Sequence, residues 1–207
     1  YAWQKVNPKK GQRIRRNLAG NPILPMEILL SLAETDMPTQ VAVLKSERVP
    51  PDLFTEMTVR LARSDNWDVK LAIARNPRTS PVVLTELAKE AVPEGKSVDL
   101  EHYPLFMVSC ALAGNTNTPP QAFDILINET RPPLPYLIAE SPSTPTYILE
   151  ALMKTKRPEA YFILRSMTRN AGAPRSIIET LAESDIHDVR DSAKVELRRR
   201  NTEEQKK

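Results

Sequence analysis

The 207-residue chain contains one cysteine, two histidines and five glycines. A single Cys cannot close an intramolecular disulfide, and it cannot build a zinc or iron–sulfur site from several thiolates. Two His leave little for imidazole catalysis or metal binding, and no cofactor is expected. Average usage would supply about 14 glycines in this length. So few argues against phosphate-cradling loops, where the backbone must approach a ligand closely. Aromatic residues amount to 5%, which leaves few rings to stack on bases. No apolar run approaches roughly 18 residues, so no membrane span is expected. A basic start, apolar stretch and small-residue cleavage site are also missing, and with one unpaired thiol the expected location is the cytoplasm.

Proline, by contrast, occurs 19 times, where average usage would give about 10. Spread along the chain, it implies many short elements, each punctuated. Hydrophobic residues are 41% and charged residues 27%, the balance of a globular chain. The net charge of +3 is uneven: residues 1–16 carry +6, residues 190–207 carry +3, and the stretch between carries −6. Two basic ends flank an acidic body.

The prolines fall into a repeat. Starting at Asn21, Ser46, Asn76, Asn115, Ser141 and Asn170, six segments align. Position five is Pro25, Pro50, Ser80, Pro119, Pro145 and Pro174. Positions eight, nine and twelve are apolar in all 18 cells, for example Val83, Leu84 and Leu87. By composition alone the chance of that is on the order of 10⁻⁷. An Asn or Ser opening each unit can bond nearby backbone and make a turn. Thr79, Thr118 and Thr144 stand where helix N-caps are expected, with Pro119 and Pro145 at the first helical position. The apolar positions share one face of a helix of about nine to twelve residues. Such a helix cannot bury its stripe alone, so neighbours must stack on it.

A second apolar segment precedes each turn, as in Asp68–Ala74, Met107–Ala113, Arg13–Ala19 and Ile163–Thr168. These read as short helices, α or 3₁₀. A capping helix is expected over 186–200, with a wet outer face. No stretch alternates with period two, so no sheet is expected. The whole chain reads as a single all-α helical-repeat domain of six to seven two-helix units. The spacing of 39 residues between Asn76 and Asn115 holds an insertion near 92–104.

The run Asp68-Val69-Lys70-Leu71-Ala72-Ile73-Ala74-Arg75-Asn76-Pro77-Arg78-Thr79-Ser80-Pro81-Val82-Val83-Leu84-Thr85-Glu86-Leu87-Ala88 resembles the bacterial leucine-rich repeat variant family. The likeness extends over residues 13–195. It implies a right-handed superhelical solenoid with alternating α and 3₁₀ helices. Some members carry a Cys-rich iron–sulfur module, which one Cys cannot supply. The family brings no shared catalytic residues, so the resemblance speaks to architecture more than function.

No catalytic constellation is visible, and the expected role is a non-enzymatic scaffold for a protein partner or another part of a larger polypeptide. Candidate contact residues are His102 and Tyr103 in the insertion, Trp67, and Arg75. The alternative is nucleic-acid binding through the basic ends. Its candidate polyanion contacts are Arg13, Arg15, Arg16, Arg198, Arg199 and Arg200, with Lys45, Arg75 and Arg169 just before their turns.

Overall fold

The computed structural model describes residues 8–92, 103–155 and 160–206. Among them the chain is all helical, with no strand. In order the helices are α1 (Pro8–Ala19), α2 (Met26–Leu32), α3 (Met37–Leu44), α4 (Pro51–Ala62), α5 (Trp67–Arg75), α6 (Pro81–Ala91), α7 (Tyr103–Gly114), α8 (Pro120–Leu126), α9 (Leu134–Glu140), α10 (Thr146–Met153), α11 (Ala160–Met167), α12 (Arg175–Ala182) and α13 (His187–Glu204). Each Asn or Ser turn joins an odd-numbered helix to the even-numbered one that follows.

The odd helices pack side by side in chain order, from α1 on α3 to α11 on α13. Within the even set, α4 packs on α6 and α6 on α8. The even helices α2, α4, α6, α10 and α12 also meet the odd helix that follows them, as α6 meets α7 and α12 meets α13. The core lies between these two sets. Position nine is buried in every unit, from Leu29 to Ile178, and so is position twelve, from Leu32 to Leu181. At about 1.5–3 kcal/mol for each large side chain removed from water, these two columns contribute strongly to stability beside the buried residues of the odd helices.

Four expectations need correction. Position eight is buried from Val83 onward, but Ile28 and Leu53 are exposed. Both lie on the two even helices at the N-terminal end of the array, α2 and α4. Second, the even helices run from 7 to 12 residues, and α2, α8, α10 and α12 are shorter than expected. Third, no 3₁₀ helix occurs among the described residues; the odd helices are α-helices of 7 residues or more, longer than 3₁₀ runs ordinarily reach.

Fourth, the threonines at position four are not N-caps. The caps are Ser80, Pro119 and Pro145, and none makes a side-chain cap bond. Instead Thr79, Thr118 and Thr144 are buried, and each hydroxyl donates back to a carbonyl six residues earlier. The acceptors are Ile73, Leu112 and Ile138, at 2.7, 2.6 and 2.5 Å. A hydroxyl can donate as well as accept, and here it gives a second donor to a carbonyl in the last turn of the preceding helix, which also accepts the N–H of the Asn or Ser that opens the turn.

The turns themselves are bonded to one another. Each Asn at position one accepts from the backbone N–H two residues on, at Ile23, Arg78, Asn117 and Gly172. In the three later units its amide then reaches the preceding unit. Asn76 Nδ2 donates to Leu44 O, Asn115 Nδ2 to Ala74 O and Asn76 O, and Asn170 Nδ2 to Ala139 O and Ser141 O. Where position one is Ser, too short to reach, position three supplies the donor. Arg48 spans to Asn21 O and Leu24 O, and Ser143 Oγ to Thr116 O. Arg78 makes the same reach to Ser46 O and Val49 O, with its guanidinium over the Phe54 ring. Every consecutive pair of the six turns is therefore tied by side chain to backbone.

The capping helix extends beyond its expected end, to Glu204. Arg200 closes the array: its guanidinium donates to Asn170 O and Ala173 O, the carbonyls that a following unit's Arg would take. Glu196 holds Arg199 and Arg200 together. The hydrogen bond from Arg199, joined by Arg200 and opposed by burial, draws the Glu196 carboxyl down to about 2. Since that lies below its ordinary 4.5, the contact contributes fully above the unfolded value and is lost as pH falls toward the folded one. Glu196→Gln should cost about 1–2 kcal/mol near neutral pH and shrink the acid-induced fall in melting temperature. Thermal melts across that acid range check it; an unchanged pH profile would rule the lock out.

Candidate binding groove

The odd-helix face carries a repeated surface. Five and four residues before each turn stand Val41 and Ala42 on α3, Leu71 and Ala72 on α5, Cys110 and Ala111 on α7, and Tyr136 and Leu137 on α9. All eight are half-buried and packed against the core from outside. Four neighbouring helices thus share one apolar stripe, with Arg16 on α1 and Arg165 on α11 in the same column at its ends. The reason is periodicity: residues one turn from a buried position lie at the edge of the helix's core face. The signal stood in the sequence as an apolar column in four consecutive units.

Between α1, α3 and α5 the stripe deepens into a groove of about 1110 Å³. Met37, Val41, Leu71 and Ala72 form its floor. Arg16, Lys45, Arg75 and Arg78 line it with two carboxylates, Glu47 and Asp68. Arg78 is committed to backbone carbonyls. The side chains of Arg16, Lys45 and Arg75 are exposed and make no ion pair or hydrogen bond among the described residues. Lys45 caps α3 and Arg75 ends α5, one residue before their turns.

The other residues singled out by sequence fall in different places. His102, and most of the 92–104 insertion, lie outside the described residues. Tyr103 is exposed at the start of α7. Trp67 opens α5 half-buried, with the Lys70 ammonium 4.4 Å from its ring centroid. Lys70 is itself buried and paired with Glu90, a contact the sequence did not announce. Arg75 lies in the groove.

On α1, Arg13 and Arg16 are exposed, while Arg15 is bonded to Asp36. On α13, Arg198 is exposed, Arg199 is held by Glu196 and Glu203, and Arg200 by Glu196 and the last turn. Helices α1 and α13 stand at opposite ends of the odd-helix order, so these arginines do not form one surface.

His187 is exposed at the start of α13, beside Asp191. Cys110 is half-buried; burial first, then the Glu129 carboxylate, pushes its thiol up to about 11. Such a thiol is a poor nucleophile. Among the described residues no group of three or more His, Cys, Asp or Glu could hold a metal ion, and no helix is long and apolar enough to cross a membrane. The chain matches no family model, no curated protein and no solved structure.

Proposed function

We propose that the chain is a non-enzymatic binding scaffold. In this reading it is a right-handed superhelical solenoid of the leucine-rich repeat variant kind. It presents its odd-helix face to a protein partner or to another part of a larger polypeptide. One observation carries the reading: the half-buried apolar stripe shared by α3, α5, α7 and α9. Scattered surface apolar residues are ordinary, but a contiguous line of them marks a contact surface. The turn-to-turn hydrogen bonds support it too, because a surface held rigid before binding loses less entropy on binding.

The basic ends support nucleic-acid binding less well. Arg15, Arg199 and Arg200 already have acidic partners, and the rest stand at opposite ends of the array.

Photo-reactive amino acids placed at Ala72 and Leu137, and at the exposed Glu56 of α4 as a control, test the scaffold role in cells that express the chain. The expected result is a protein adduct of one mass from both odd-face positions and none from Glu56. Nucleic-acid adducts, or equal labelling of the two faces, would overturn it.

A further inference from the structure

The groove between α1, α3 and α5 has a charge character unlike the body around it. The stretch 17–189 carries −6 overall, yet the groove is lined by four cations and two carboxylates. Two of the cations, Lys45 and Arg75, hold the same place in consecutive units, immediately before the turn. That place does not demand a cation. Its other occupants are Gly20, Gly114, Glu140 and Arg169, all exposed. A basic group at a helix C-terminus does favour the helix dipole, but Glu140 at the end of α9 shows that the fold does not require one.

The turn ladder fixes how these two cations sit. Asn76 Nδ2 bonds Leu44 O, the last residue of α3, so the ends of α3 and α5 lie side by side. Packed helices stand about 8–10 Å apart. An extended polyproline-type peptide repeats a face every third residue, which at about 3.1 Å per residue is about 9 Å. Carboxylates at that spacing would meet Lys45 and Arg75 together. The side chains between them would lie on the apolar floor, which shields the ion pairs from water and strengthens them.

Resting on the scaffold reading above, we infer that this groove binds an acidic, extended peptide segment with a carboxylate at every third residue, one to Lys45, one to Arg75 and a third toward Arg16. An acidic peptide is favoured over nucleic acid. The floor is aliphatic rather than aromatic, so it offers no platform for base stacking.

The probes are three fluorescent 12-residue peptides of identical composition. Each holds three Glu among Leu, Pro and Ala, with the Glu at every second, every third or every fourth residue. Binding to the full chain is read by anisotropy across a salt series. The peptide with every-third spacing should bind about tenfold tighter than the others. Lys45→Glu or Arg75→Glu should each remove about tenfold of that affinity. Arg169→Glu, the same column far along the array, should leave it unchanged. These side chains are exposed and make no ion pair or hydrogen bond among the described residues, so all three variants should melt with the parent chain.

Tight binding that ignores Lys45→Glu and Arg75→Glu would overturn the groove assignment and leave the scaffold reading intact. Equal binding of all spacings would overturn the extended register. Absence of binding to all three peptides would overturn the inference while the cross-linking result judges the scaffold separately. A labelled (dT)20 oligonucleotide that binds more tightly, with a steep salt slope lost on Lys45→Glu, would overturn the peptide in favour of nucleic acid.

Discussion

Gly172→Ala should destabilise the chain by about 3 kcal/mol or more, an unusual cost for adding one methyl group. A Cβ on Gly172 would stand 2.1 Å from Pro142 O, 2.8 Å from Pro142 C and 2.9 Å from Pro142 Cα. These are backbone atoms, so no rotamer change relieves the overlap. The two turns must move apart. That would strain the Asn170 bonds to Ala139 O and Ser141 O, which span the same gap. Gly114→Ala is the matched control. Its Cβ meets nothing within 4 Å, and alanine in a helix is favoured by up to about 1 kcal/mol. Urea denaturation of the pair should lower the midpoint for Gly172→Ala and hold or raise it for Gly114→Ala. Equal midpoints would mean that the close approach of the two turns is not part of the folded state.

The position that Gly172 occupies shows how one place in a repeat serves several devices. It is Arg48 and Arg78 where a guanidinium spans the gap, Asn117 and Ser143 where a shorter side chain does, and glycine where the turns touch. A side chain bridges the gap at four of these places, and at Gly172 the backbone of the earlier turn leaves no room for one. From one sequence the column looks random, because its logic lies in the unit before it.

That contrast explains what was legible. Columns nine and twelve were readable because burial acts on every unit alike, and apolar periodicity records it directly. Column eight is buried from Val83 onward but exposed at Ile28 and Leu53, because an apolar position on a helix is covered only by what neighbouring elements bring to it, and one unit's sequence does not record them. The turn asparagines were readable in their local half only. Any Asn before a turn can bond backbone two residues on, but nothing local predicts that its amide donates to a unit about thirty residues earlier, a separation set by the repeat itself. The threonines at position four were assigned the commoner role of an acceptor, and the structure uses the proton instead. Of the groove, Lys45 and Arg75 were visible as basic groups ahead of their turns. What could not be seen was that the Asn ladder brings consecutive helix ends together, and that Glu and Asp neighbours neutralise Arg15, Arg199 and Arg200 while those two side chains find no acidic partner among the described residues.

Asn170→Ala and Asn21→Ala separate the two halves of the asparagine's work. Both residues open a unit, and both accept from the backbone two residues on, Asn170 at 2.8 Å and Asn21 at 3.0 Å. Asn170 is buried at 0% exposure, and its amide adds two inter-unit bonds, at 3.0 and 2.7 Å. Asn21 is half-buried and makes no such bond among the described residues. Truncating Asn170 leaves Ala139 O, Ser141 O and Gly172 N without that side chain as a partner. Ser141 O keeps the Thr144 N–H and Gly172 is exposed to water, so Ala139 O is the buried group left short. At about 1–3 kcal/mol for such a group, with the other two bonds lost as well, the substitution should cost about 2–4 kcal/mol in total. Truncating Asn21 removes one local bond that water can replace, about 0.5–1 kcal/mol. Denaturant titrations of the two variants, read with hydrogen exchange at the turns, should show the difference. They should also show loss of protection spreading from Asn170 into α9 and α11. Similar costs at the two positions would mean that the apolar columns alone hold successive units together. The asparagines would then shape turns without joining them, and the fixed pitch on which a rigid binding face depends would have to come from packing.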